Sequence, residues 1–266
     1  MKYEISGNDI ILYEDDLALD DVLDTGQAFR WDRIGENAYF GYSLYCPLEI
    51  SGSDGKFVLK NTDEEVFLKV WAPYFDLETD YSALRKIYSK DAALSAACEF
   101  SRGIRLLRQD SWEALVCFIF SSNNNITRIK GIVARLAEHY GKFPSPEQLA
   151  AETEESLGFL RSGFRAKYVL DAAKKVASGE TDLKKIAEMP YESAKAELMK
   201  IKGVGPKVAD CVLLSGMYKT EAFPLDVWMK RVMEEYYKDG LPEEFYGTRG
   251  IAQLYLFNYI RKRPKQ

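Results

Sequence analysis

The segment Glu197-Leu-Met-Lys-Ile-Lys-Gly-Val-Gly-Pro-Lys-Val-Ala-Asp-Cys-Val-Leu-Leu214 constrains this chain more than any other. It predicts a helix, a four-residue hairpin and a second helix. Leu198, Met199 and Ile201 close the first helix on an apolar face. Gly203 and Gly205 flank Val204, so the hairpin backbone is free to take positive φ and to approach a ligand closely. Pro206 falls at the first position of the second helix, where its missing N–H is no loss. Val208, Val212 and Leu213 recur near helical spacing and face a core. The hairpin leaves backbone N–H groups free at a helix N-terminus, which suits an anion such as a phosphate.

Lys207 lies in the first turn of that second helix. The helix dipole disfavours a cation there. A neutral amine on a rigid helix is a nucleophile. A lysine met alone in a helix is an ordinary solvated charge; its company makes this one a candidate. Downstream, Phe223-Pro-Leu-Asp226 precedes a helical run from Val227 to Tyr237. Asp226 is the expected N-cap of that run. A capping carboxylate is also placed to stabilise a cation beside it.

The 266 residues suffice for one large or two small domains. A hydrophobic content of 47% fits a globular chain. No apolar run reaches a membrane span, and the N-terminus lacks a signal-peptide pattern. The expected location is the cytoplasm, at the nucleoid if the source is prokaryotic. Cys46, Cys98, Cys117 and Cys211 are scattered without a C-x-x-C pair, which predicts free thiols and no metal site. His139 is the only histidine, which disfavours histidine catalysis and His-rich metal sites. The net charge of −5 means that any nucleic-acid face must be local. Candidates are Arg102, Arg105 and Arg108, then Arg161, Arg165 and Lys167, and the tail Arg261-Lys-Arg-Pro-Lys265.

Along the chain, residues 1–95 read as strands and turns with a few helices, an antiparallel sheet domain. Gln27 to Asp32 alternates like a strand, Tyr39 to Tyr45 is aromatic-rich, and Ser53-Asp-Gly55 is a turn before a strand at Lys56 to Lys60. Helices are predicted from Thr62 to Trp71 and from Tyr81 to Tyr88. Residues 96–266 read as all helical. Asp110 or Ser111 caps Trp112 to Phe120, Ile126 to Tyr140 stops at Gly141, and Thr248 is placed to cap the last helix. The fold class is α+β: a twisted antiparallel sheet domain with helices, then an all-α domain.

Gly203-Val-Gly-Pro-Lys207-Val-Ala-Asp-Cys211 followed by Pro224-Leu-Asp226 resembles the helix-hairpin-helix DNA glycosylase superfamily. Thr25-Gly-Gln-Ala-Phe-Arg-Trp31, Arg105-Leu-Leu-Arg-Gln-Asp110 and Ser121-Ser-Asn-Asn-Asn-Ile-Thr-Arg128 bring it closer to the 8-oxoguanine DNA glycosylases. The resemblance runs from about residue 20 to residue 260. It lacks the four clustered cysteines of the superfamily's iron–sulfur branch. It implies Lys207 as the nucleophile and Asp226 as the carboxylate for the sugar cation, in a glycosylase that also cleaves the abasic strand through a Schiff base. It implies a base pocket of Gly26, Cys211, Pro224, Asp226, Gln253 and Phe257. The Gly26 carbonyl would accept the N7 hydrogen that oxidised guanine has and guanine lacks, Cys211 and Phe257 would sandwich the base, and Gln253 would read its Watson–Crick edge.

On the DNA side the resemblance assigns Asn123 to the gap left by the flipped base and Arg128 and Arg165 to the orphaned cytosine. Phe164 falls at a wedge position that is usually tyrosine, and Gly203, Val204 and Gly205 form the phosphate-binding hairpin. The implied partner is double-stranded DNA containing 8-oxoguanine, bound by a monomer with no cofactor, no metal and no membrane. Two departures stand out. Lys202 replaces a common proline, and Trp228 stands where vertebrate members carry histidine. A glycosylase for alkylated bases and a non-catalytic helix-hairpin-helix DNA-binding protein are the alternatives. The second of these needs Gly203 and Gly205 but not Lys207, Asp226 or a base pocket.

Overall fold

The computed structural model describes residues 1–263. The strands are β1 (Lys2–Ser6), β2 (Asp9–Tyr13), β3 (Trp31–Gly35), β4 (Ala38–Ser43), β5 (Cys46–Ser53) and β6 (Lys56–Lys60). The first helices are α1 (Leu19–Leu23), α2 (Glu64–Val66), α3 (Ala72–Tyr74), α4 (Tyr81–Tyr88) and α5 (Ala92–Phe100). Then come α6 (Ser111–Ser121), α7 (Ile126–Tyr140), α8 (Pro146–Ala150), α9 (Arg165–Ala177) and α10 (Leu183–Glu188). The last are α11 (Tyr191–Leu198), α12 (Pro206–Met217), α13 (Val227–Tyr236) and α14 (Arg249–Lys262). Among the described residues no helix is long and apolar enough to cross a membrane.

The chain divides into two compact units: Met1–Arg108 with Leu225–Gln266, and Gln109–Pro224. A division at residue 95 follows chain order, whereas these units follow packing. The C-terminal helices return to the first unit, where α14 packs on α5 and α13. Tyr88 donates to the Thr248 carbonyl at 3.0 Å, and Tyr237 to Asp91 at 2.7 Å. Asn258 donates to Ser101 at 2.7 Å.

In the first unit the six strands form one antiparallel sheet in the order β1-β2-β6-β5-β4-β3. Alternation decides its buried face. Ile10 and Ile50 both pair with Leu59, and Leu12 pairs with Phe57, all of them fully buried. The β5–β6 loop is Asp54-Gly55 with φ 51° and 77°, the pair of positive values that a two-residue hairpin loop requires. The alternating run Gln27 to Asp32 is a strand only from Trp31 onward. Trp31 is fully buried in an aromatic cluster with Trp71, Tyr74 and Phe75, and its Nε1 donates to the Tyr74 hydroxyl at 2.7 Å. Gly41 admits that indole: a Cβ at Gly41 would lie 2.3 Å from a Trp31 ring carbon. The helix expected over Thr62 to Trp71 exists but is not uniform. Phe67–Trp71 forms a π-helical turn just before Pro73, which has no N–H to continue an α-helical ladder.

The second unit is helical. Asp110, not Ser111, caps α6, accepting from Trp112 N and Glu113 N at 2.9 Å each. From Trp112 to Phe120 every residue of α6 is buried, so this helix forms the unit's centre and α12 packs along it. The Gln109 N–H and Ser111 hydroxyl donate to the Ser215 and Gly216 carbonyls at 2.7 and 2.6 Å, tying the start of α6 to the end of α12. Asn125 caps α7, and Gly141 ends it at φ 68°.

Candidate active site and nucleic-acid interface

The hairpin between α11 and α12 needs one of its two glycines for its own fold. Gly203 has φ +82°, and a Cβ there would lie 2.3 Å from the Tyr168 ring on α9. Gly205 is extended, with φ −92° and ψ −179°, and a Cβ there would meet nothing within 4 Å. The positive φ expected at both glycines is therefore realised only at Gly203. Val204 is buried, and its N–H closes the turn on the Ile201 carbonyl at 3.1 Å. Lys202 has a physical explanation. Its backbone N–H donates to Asp171 of α9 at 2.8 Å, and its ammonium lies 3.7 Å from the same carboxylate. Proline could make neither contact.

Lys207 is the second residue of α12 and is half-buried. Its Nζ donates to the Ser121 hydroxyl at 3.2 Å and stands 5.7 Å from the centre of the Phe118 ring. Ser121 in turn donates to the Phe118 carbonyl at 2.7 Å, so its oxygen faces the amine as an acceptor. Cys211 lies one turn beyond Lys207 on the same face and is buried. On another face the buried Asp210 accepts from Tyr191 at 2.7 Å and from Lys195 at 2.9 Å. Burial works to lower the Lys195 pKa, but the hydrogen bonds to Tyr191 and Asp210 prevail and hold it above the ordinary lysine value. This cluster clamps α11 to α12 and so orients the hairpin that joins them.

The Ser122–Asn125 loop follows α6. Asn123 is exposed at φ 48°, a left-handed value that asparagine tolerates. Arg165, expected to donate to a cytosine, has a different use in this structure. It is buried, and it donates to the Ser122 carbonyl at 2.6 and 2.8 Å, to Asn123 O at 2.8 Å and to Ser162 O at 3.1 Å. Burial, then the nearby charge of Arg128, holds its pKa below the ordinary arginine value. Arg128 is exposed, and its guanidinium makes a long contact of 3.5 Å to the Arg161 carbonyl. Phe164 is 48% exposed, with the Arg165 guanidinium 4.5 Å from its ring centre and Tyr168 edge-on at 5.7 Å. Phe164 thus connects through Tyr168 to the hairpin at Gly203. Pro224, the last residue of this unit, is buried.

The remaining expected residues belong to the first unit. Gly26 has φ +87° and sits in a turn braced on both sides. Gln27 donates to the Arg105 carbonyl at 2.9 Å and accepts from Leu107 N at 3.1 Å. Arg261 donates to the Thr25 carbonyl at 3.0 Å. Gln253 and Phe257 are one turn apart on α14, the first buried and the second half-buried. Asp226 caps α13 as expected, accepting from Trp228 N at 3.0 Å and Met229 N at 2.9 Å. The Trp228 indole lies against Arg231, 4.9 Å from its guanidinium. Thr248 occupies the cap position of α14 but makes no side-chain cap bond.

Arg105 corrects a further expectation. It is 1% exposed and belongs to no DNA-facing surface. It donates to the carbonyls of Phe75, Asp16, Asp76 and Thr79 at 2.7 to 3.1 Å and lies over the Tyr81 ring. Lys265 of the basic tail lies outside the described residues. Sequence reasoning also missed side chains that support the site. Ser121 and Gln27 fall inside segments that carried the resemblance, so their motifs could have flagged them. Tyr168 and Asp171 sit on an ordinary amphipathic helix, and only tertiary contact with the hairpin singles them out.

Comparison with known proteins gives a consistent result. Residues 9–115 match the model of the 8-oxoguanine DNA glycosylase N-terminal domain, and residues 116–241 that of the HhH-GPD superfamily of base excision DNA repair proteins. The N-glycosylase/DNA lyase of Saccharomyces cerevisiae is 30% identical over 267 residues, covering 86% of this chain and 70% of that protein. The Clostridium acetobutylicum 8-oxoguanine glycosylase/lyase, solved with double-stranded DNA carrying cytosine opposite 8-oxoguanine, is 35% identical with a TM-score of 0.93 over 98% of each chain. The structure of MBOgg1 with a low-affinity DNA ligand is 39% identical, with a TM-score of 0.94 over 98% of this chain and 99% of that one. The chain belongs to the 8-oxoguanine DNA glycosylase family, within the HhH-GPD superfamily of base excision repair proteins.

Proposed function

We propose that this protein excises 8-oxoguanine from double-stranded DNA and then nicks the strand at the abasic site. The observation that carries the reading is Lys207. It follows the Gly203-Val204-Gly205 hairpin at the start of α12, with its amine on Ser121 and with Cys211 one turn away on the same face. Extruding the base costs a few kcal/mol of stacking and pairing. The Lys207 amine bonds to the sugar C1′ as the C1′–N9 bond breaks, and the departing base takes up a proton. Asp226 stabilises the positive charge that develops on the sugar. The sugar ring opens to a Schiff base. Loss of a C2′ proton then expels the 3′ phosphate by β-elimination.

Within this reading Gly26 accepts the N7 hydrogen of the lesion. Guanine would present a lone pair to that carbonyl, and an unmatched polar contact is the strong form of discrimination. Cys211 and Phe257 sandwich the base, Gln253 reads its edge, and Pro224 completes the lining. Asn123 fills the gap in the duplex, Phe164 wedges beside it, and Arg128 reads the orphaned cytosine. Arg165 serves that reading by holding the Asn123 turn. The hairpin binds backbone phosphate. The protein acts as a monomer, in the cytoplasm with the genome.

The test is a panel of duplexes carrying 8-oxoguanine, an alkylated purine or no lesion, with borohydride added. Cleavage and a covalent adduct with the 8-oxoguanine duplex alone are expected. Preferential cutting of the alkylated duplex, or binding of all three without cleavage, refutes the reading.

A further inference from the structure

Within the first unit, Arg261 stands one turn beyond Phe257 on α14. Its Nη1 donates to the Thr25 carbonyl at 3.0 Å, and its guanidinium carbon lies 5.0 Å from the centre of the Phe257 ring. Thr25 immediately precedes Gly26. Thr25 is buried, and the Gly26 backbone is left-handed at φ +87°. One side chain therefore touches both the Thr25–Gly26 peptide, which immediately precedes the Gly26 carbonyl, and the ring that Phe257 offers to a base. Phe257 and Thr25 are otherwise distant in sequence, on a helix and a turn. Gln27 fixes the far side of the same turn through Arg105 and Leu107.

We infer that Arg261 is a positioning residue for base selection, setting the separation between the Gly26 carbonyl and the Phe257 ring and hence the width of the slot that the oxidised base enters. This rests on the roles given to Gly26 and Phe257 under the proposed function. Three features separate Arg261 from a solvated tail charge. Its planar fork can hydrogen-bond the carbonyl while its flat face lies on the ring. Burial lowers its pKa, opposed by the carboxylates of Asp226 and Asp24, so it is held in a partly desolvated, acid-lined place. Its neighbour Lys262, by contrast, is exposed, with its ammonium 3.4 Å from Asp21. Lysine at position 261 could reach the carbonyl or cover the ring, but not do both.

The experiment uses full-length Arg261→Met and Arg261→Lys. Single-turnover excision from an 8-oxoguanine:cytosine duplex is compared with strand cleavage at a preformed abasic site, on the same preparations. The ratio of the two rates does not depend on the folded fraction, so a partly unfolded variant still reports. Arg261→Met is expected to lower that ratio ten-fold or more, and Arg261→Lys to fall between it and the wild type. Introduced into Phe257→Leu, Arg261→Met is expected to lower the ratio less than it does alone. A wild-type ratio, or losses in step on both substrates, overturns the inference. Gln253→Ala is run alongside to test the base pocket itself. If Gln253→Ala lowers the ratio and Arg261→Met does not, only the role of Arg261 fails. If Gln253→Ala leaves the ratio unchanged, the pocket reading fails.

Discussion

Asp226 caps α13 and is proposed to stabilise the sugar cation, two roles that one pair of substitutions can separate. Its Oδ1 accepts two backbone N–H groups, from Trp228 and Met229, at 3.0 and 2.9 Å. Asparagine retains that oxygen and ranks with aspartate as an N-cap, so Asp226→Asn loses only the charge at the helix start, about 0.3–1 kcal/mol. Asp226→Ala removes the acceptor itself and should cost about 1 kcal/mol, within about 0.5–2. For a protein of this size that is a fall in Tm of roughly 2–4 °C. The chemistry orders the variants differently. Both remove the negative charge from the developing sugar cation, and loss of one pre-arranged electrostatic partner costs about 2.7–4 kcal/mol, or roughly 10²–10³ in rate. Thermal unfolding should therefore place Asp226→Asn close to the wild type and Asp226→Ala below it. Single-turnover excision of 8-oxoguanine should place both far below. Near-normal excision by a folded Asp226→Asn protein would remove the carboxylate from the mechanism and leave Asp226 as a cap alone.

Lys207→Gln should abolish borohydride trapping and strand cleavage while duplex binding, measured by fluorescence anisotropy, persists; any covalent adduct from that variant moves the nucleophile elsewhere. Arg128→Ala should erase the preference for cytosine opposite the lesion, worth about 1–3 kcal/mol or roughly ten-fold and more. Arg165→Ala should instead slow excision from all four opposite-base duplexes alike, because its donors hold the Ser122 and Asn123 carbonyls; the converse pattern would exchange the two roles. Arg105→Met strips four carbonyls of a buried donor and should destabilise the protein by at least about 1–3 kcal/mol in urea titration. A loss below about 1 kcal/mol would show that those carbonyls find other partners.

What the sequence revealed and what it hid differ in physical kind. Local signals were legible: Asp226 as a cap, a cap at Asp110 or Ser111, Gly141 as a helix stop, Ser53-Asp-Gly55 as a turn, and the hairpin ahead of Lys207. Each depends on residues a few positions apart. What it hid lies in groups whose partners are remote. Arg105 read as a candidate for a DNA-facing surface and Arg165 as a donor to cytosine, and each is also held by backbone carbonyls that only the folded chain gathers. The alternation at Gln27 to Asp32 reported which side chains are buried, not the backbone conformation. Gln27 is buried by pairing with residues 105–107, not by a sheet partner. Gly205 illustrates the opposite error. A glycine suggests positive φ, but this one is extended, and what it leaves is open space beside the hairpin. Lys202 looked like a flaw in the motif until Asp171 appeared as the acceptor of its N–H.

The return of the C-terminal helices to the sheet-bearing unit bears on how the chain is made. Residues 109–224 are continuous, so every element of that unit has been synthesised before residue 225 is added. The other unit must wait. Its residues 1–108 emerge first, but Ser101, Tyr88 and Thr25 find Asn258, Thr248 and Arg261 only when synthesis is almost complete. These pairings span 157 to 236 positions, and closing them costs chain entropy that local contacts do not repay early. During translation the half of the enzyme that carries Lys207 can thus assemble while the half that carries Gly26 and Asp226 is still unfinished. A nascent chain arrested before α14 would lack Gln253 and Phe257, the residues proposed to hold the damaged base.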